Sequence, residues 1–70
     1  MRKWIISTYR SEEDLARSKP ISSKESARAG NLISQAYREL EKGRIVAVED
    51  PETHIRRVFR PGEPAVIKLP

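Results

Sequence analysis

The chain contains no cysteine. That excludes disulfides and thiolate zinc sites, the usual staples of a mini-protein, and makes a reducing compartment the expected setting. There is one histidine, His54, and no Cys/His or Ser/His/Asp spacing that would suggest a nucleophile with its base. The glycines Gly30, Gly43 and Gly62 stand alone, so no glycine-rich phosphate loop exists. Aromatics are few (Trp4, Tyr9, Tyr37 and Phe59) and do not interleave with basic residues, which disfavours stacking on single strands. The longest apolar runs, Trp4-Ile5-Ile6 and Ile45-Val46-Ala47-Val48, fall far short of the roughly 20 residues of a membrane span. No signal-peptide pattern opens the chain. These absences lead to the expectation of a soluble cytoplasmic protein that is not an enzyme, has no cofactor, metal or small-molecule substrate, and makes no membrane contact.

What is present is charge. Fourteen Lys/Arg against ten Asp/Glu give a net charge of +4 on 70 residues, 34% of which are charged. The excess is concentrated late: Arg56, Arg57, Arg60 and Lys68 follow Thr53 against Glu63 alone, beyond the acidic stretch 49–52. A modest basic excess is compatible with a nucleic-acid partner, and its placement carries more information than its size. With 37% apolar residues the core is limited, and one small domain is expected.

Four sections follow along the chain. Residues 1–10 include Trp4, Ile5, Ile6 and Tyr9, which favour a strand or extended arm at about 3–9. Residues 11–43 form the helical part. Ser11 with Asp14 three residues on predicts a capped short helix over about 12–18, ended by Lys19-Pro20. Ser22-Ser23-Lys24-Glu25 repeats the capping-box spacing and predicts a second start. Ala29, Leu32, Ile33, Ala36, Tyr37 and Leu40 then recur at steps of three and four, the period of one buried helical face, and Gly43 ends the run. Gly30 is either an interior residue of one helix over 23–42 or a turn between helices at 23–29 and 31–42. Residues 44–60 predict a β-hairpin, 44–49 and 54–60, turning at Asp50-Pro51-Glu52-Thr53. In its second strand His54, Arg56 and Arg60 would face outward, with Arg57 on the apolar side beside Ile55 and Phe59. Residues 61–70 predict a turn followed by a short final strand, Ala65 to Leu69, or a tail.

The predicted helix has a wet stripe, Asn31, Gln35, Arg38 and Lys42, with Ser34 beside it. Amides and guanidinium groups are the types that read base edges in a major groove, which admits a helix. Any amphipathic helix also has a polar face, so the stripe gains weight only if the basic strand face, His54, Arg56 and Arg60, lies along the same duplex.

The segment Lys24 to Arg60 resembles the winged-helix domains of phage excisionases and MerR-like regulators. It supplies Glu25-Ser26-Ala27, Tyr37-Arg38, Gly43-Arg44-Ile45-Val46-Ala47 and His54-Ile55-Arg56-Arg57-Val58-Phe59-Arg60, with Tyr37 and Arg38 six and five residues before Gly43. The turn reads Ala29-Gly30-Asn31-Leu32, and Glu39 stands where a tryptophan is common in that pattern. The resemblance implies an α+β winged helix of short helices plus a hairpin wing, binding double-stranded DNA, with a recombinase as a further partner. It implies Ser34, Gln35 and Arg38 in the major groove and His54, Arg56, Arg57 and Arg60 on the wing. Arg44 would hold a phosphate at the junction.

A rival order is strand, helix, strand, strand, with one helix on a three-stranded antiparallel sheet. That shape is common among small phage or mobile-element proteins that inhibit host machinery, anti-CRISPR proteins included. It implies a host protein or a nucleoprotein defence complex as the partner.

Overall fold

The computed structural model describes residues 3–63 and 66–69. The elements run β1 (Trp4–Tyr9), α1 (Glu12–Ala16), β2 (Ser22–Ser26), α2 (Ala29–Glu41), β3 (Ile45–Asp50) and β4 (Ile55–Phe59). The strands form one antiparallel sheet in the order β2-β1-β3-β4. Over the described residues the protein is a small α+β fold of four strands and two helices.

The two inner strands are read easily from their residues. β3 begins Ile45-Val46-Ala47-Val48, all four buried: Val46 and Val48 lie in the core beneath α2, and Ile45 and Ala47 are covered on the other face by Tyr9, Leu15 and Val58. β1 lies beside it, Ile6 opposite Val48 and Thr8 opposite Val46. On one face Ile6, Val46 and Val48 meet Leu32 and Ala36 of α2, with Trp4, Ile33, Leu40 and Phe59 around them. Ile67 of the C-terminal segment joins this core, and its backbone N–H donates to the Tyr37 hydroxyl at 3.2 Å. On the other face Tyr9, Ile45 and Ala47 pack with Leu15 of α1 and Val58 of β4. The short α1 covers only that corner, so much of this second face is bare.

The helix-forming signals are met at α1 and in most of α2. Ser11 accepts a hydrogen bond from the Asp14 backbone N–H at 3.2 Å, the N-cap expected of it, and three acids fill the first turn. α1 ends at Ala16, two residues earlier than predicted. α2 buries Leu32 and Ala36, and Gly43 follows with φ of 82°, a left-handed position that glycine adopts without a Cβ clash. Gly30 is the second residue of α2 and is exposed, so it neither breaks a long helix nor sits at its middle.

Residues 22–26 are the main correction. They form the edge strand β2, and the helix predicted to open at Ser22 or Ser23 begins at Ala29. A helix over 23–29, the first half of a helix-turn-helix, is therefore not formed. The cause is tertiary. β1 bonds to β3 on one side and would leave a row of backbone groups open on the other; residues 22–26 pair with Thr8 to Trp4 and close it. A capping box contributes about 1 kcal/mol, whereas a ladder of several backbone bonds contributes about that much per bond. The same side chains serve the sheet instead: Ser23 bonds Ser7 between hydroxyls at 2.9 Å, and Glu25 pairs with Lys3 at 3.3 Å.

The hairpin forms with its turn one residue later than predicted, at 51–54. Asp50 is fully buried at the end of β3. Its carbonyl accepts from the His54 N–H at 2.8 Å, and its carboxylate accepts from the Glu52 N–H at 2.9 Å. His54 sits in the turn with φ of 60°, not on the strand. The predicted final strand is not a strand over residues 66–69; its first residue, Ala65, lies outside the described residues. The outcome differs from the three-stranded alternative by one strand, β2, and by the short α1.

Candidate functional site: the α2–β2 groove

The wet stripe of α2 faces the β2 edge of the sheet. Asn31, Ser34, Gln35, Arg38 and Lys42 line one concave groove of about 470 Å3, joined by Glu39 from the same helix and Lys24 from β2. Lys24 faces this way because it pairs with Ile6, whose side chain enters the core beneath α2. Five of the ten residues expected to bind DNA are thus brought together. Lys24 is an addition: read as the third residue of a capping box, it carried no sign of facing the stripe.

Among the basic residues lining this groove is one carboxylate, Glu39. The Glu39 side chain is only 14% exposed; its Oε2 accepts from the Arg44 guanidinium at 2.7 Å, and Oε1 is 3.8 Å from the Lys42 ammonium. The Arg44 hydrogen bond holds the Glu39 carboxyl below its ordinary value of 4.5 against the opposing effect of burial, with the charges of Lys42, Arg44 and Lys24 adding to the depression. Arg44, expected to hold a phosphate, is committed to Glu39 in this structure.

The sign of the pH effect follows. A carboxylate with a lowered folded-state value stabilises the fold fully above its unfolded value near 4.5, and that contribution is lost as pH falls through the lower folded value. Glu39→Gln is expected to flatten the acid limb of the stability curve between those values. Chemical denaturation at stepped pH checks this, and an unchanged limb would show that other carboxylates carry it.

The remaining candidates lie elsewhere. Alternation along β4 puts Arg57 on the α2 side with Phe59, and Arg56 on the opposite face with Val58. The parity predicted for Arg57 is met without a bulge; at an edge strand its side chain is simply exposed. Arg56 donates to the Tyr9 hydroxyl at 3.2 Å and lies 5.8 Å from the centre of that ring. Arg60 bonds Glu12 of α1. β4 is at one edge of the sheet and β2 at the other, with α2 crossing between them. Arg56 therefore points away from the groove, Arg60 lines a different depression with Tyr37, Leu40 and Glu41, and neither residue is among those lining the groove with the helix stripe. Their common sequence signature, a run of arginines after a turn, carried no information about which edge the strand would occupy.

The bare sheet face has a smaller depression of about 260 Å3, lined by Ile5, Ser7, Tyr9, Ser18, Ala47, Glu49 and Arg56. Among the described residues no cluster of three His, Asp or Glu could hold a metal ion, and no helix is long and apolar enough to cross a membrane. No family model, no curated protein and no solved structure matches the chain.

Proposed function

We propose that the protein is a non-catalytic binder of double-stranded DNA whose contact surface is the α2–β2 groove. The observation that carries this reading is the convergence of Asn31, Ser34, Gln35, Arg38 and Lys42 with Lys24 on one concave, net basic surface. Lys24, Arg38 and Lys42 are positioned for phosphates, which supply most of the affinity; Asn31 and Gln35 are the types that bond base edges. This differs from the helix-and-wing clasp of an excisionase-like winged helix. None of the hairpin's arginines lines the groove, and residues 22–26 supply a strand where that fold needs a helix.

The test is duplex binding by fluorescence anisotropy across a salt series. Each phosphate contact contributes roughly 0.9 to the slope of log K against log salt, so Arg38→Ala with Lys42→Ala should reduce it by about 1.8. Arg56→Ala should leave the slope unchanged. The reverse pattern would restore the wing, and no effect of either would remove DNA as the ligand of this groove.

A second reading is an inhibitor that binds a host protein or a nucleoprotein defence complex, as a small phage or mobile-element protein would. The observation that favours it is β1: an N-terminal strand integral to an antiparallel sheet under one main helix is the arrangement that reading expects.

A further inference from the structure

The outer edge of β4 is another surface that the fold leaves open. β4 is the last strand of the sheet, and among the described residues no strand pairs with its far side. Its register with β3 is continuous from Ile55 to Phe59, with no bulge, and the strand contains neither proline nor glycine. Edge strands of soluble proteins are commonly blunted by bulges, proline, short length, a covering element or charged side chains. The opposite edge, β2, is polar throughout, Ser-Ser-Lys-Glu-Ser. β4 reads Ile-Arg-Arg-Val-Phe, with Ile55 51% exposed; of those devices it has its shortness and its two arginines, which oppose a like-charged strand and match an acidic one.

The charge on this edge is of one sign and lies on both faces. Arg57 projects on the α2 side and makes no ion pair among the described residues; Arg56 projects on the bare face, held over Tyr9. A strand added here would set its side chains beside these two, one above the sheet and one below. Two copies of β4 pairing with each other would bring the arginines of one beside those of its partner, an arrangement that like charges disfavour. An acidic strand would be matched on both faces while its backbone completed the open ladder.

We infer that β4 is a docking edge for an extended acidic segment of a partner protein, which joins the sheet as a fifth strand. This surface is separate from the α2–β2 groove and does not depend on the DNA reading.

The test titrates the intact protein with a blocked nine-residue peptide of threonine and valine carrying two adjacent glutamates at its centre. The counterpart with two lysines serves as control. Amide NMR shifts confined to Ile55–Phe59 and their partners in β3, with slowed hydrogen exchange of the β4 amides, are expected for the glutamate peptide alone. Arg57→Glu should abolish the preference between the two peptides, because each then meets one matched and one opposed charge; the mutated side chain is exposed, and circular dichroism checks that the variant is folded. In the unsubstituted protein, equal response to both peptides, no response, or shifts in the α2–β2 groove would overturn the inference. Concentration-dependent β4 shifts without peptide, with a doubled mass in sedimentation, would assign the edge to a second copy and overturn it as well.

Discussion

Deleting residues 1–9 is expected to unfold the protein completely, with loss of the helical circular dichroism signal as well as the sheet. β1 is bonded on both sides, to β2 and to β3, so its removal strands one edge of each. It also removes Ile6, which is 2% exposed beneath α2, and Tyr9, which is 5% exposed on the other face. Losing a Leu- or Ile-sized core side chain to alanine alone costs about 2–5 kcal/mol, and small domains hold only about 5–15 in total. β2 would then have no strand partner among the described residues, where it pairs with β1 alone. A helix-and-wing domain built from residues 24–60 would keep its fold through the same truncation. A truncated chain with native dichroism and a cooperative melt would contradict the central position of β1.

The second large effect is expected at Leu32. Its side chain is 2% exposed and contributes to the core formed with Ile6, Ala36, Val46, Val48 and Ile67. Leu32→Ala should destabilise by about 3 kcal/mol, within the range for buried leucines, and lower Tm by more than about 10 °C in a domain this size. Tyr37→Phe is the informative contrast. Tyr37 belongs to the same apolar periodicity but is 41% exposed, and the interaction it loses includes the bond from the Ile67 N–H. That single hydrogen bond sets the scale at about 1 kcal/mol. Thermal melts of the two variants rank them, and a larger loss at Tyr37 would mean that the helix is rotated from the orientation described.

What could be read from the chain was whatever is encoded locally. The period of Leu32, Ala36 and Leu40 marks α2, Gly43 marks its end, and the β-branched runs mark β1, β3 and β4; all of these appear. Ser22-Ser23-Lys24-Glu25 misled because its local signal is real but weaker than the unsatisfied edge of β1, which is specified by residues far away in sequence. The site divided along the same line. The stripe on α2 was legible because it lies on one helix. Lys24 was not, because it depends on the pairing of β2, and the separation of the hairpin from the stripe depends on strand order. The resemblance implies a phosphate for Arg44 at the junction; its capture by Glu39 depends on how the helix end folds back to meet β3.

The central place of β1 also governs how the fold is reached. Its pairing with β3 must close a loop of roughly 40 residues before any of that ladder forms, an entropic cost that local helix contacts do not carry. β1 is synthesised before β3 and therefore waits for it. Refolding should be slower than for a helical bundle of equal length, and the nascent chain has no complete sheet until residues 45–50 are free to join it.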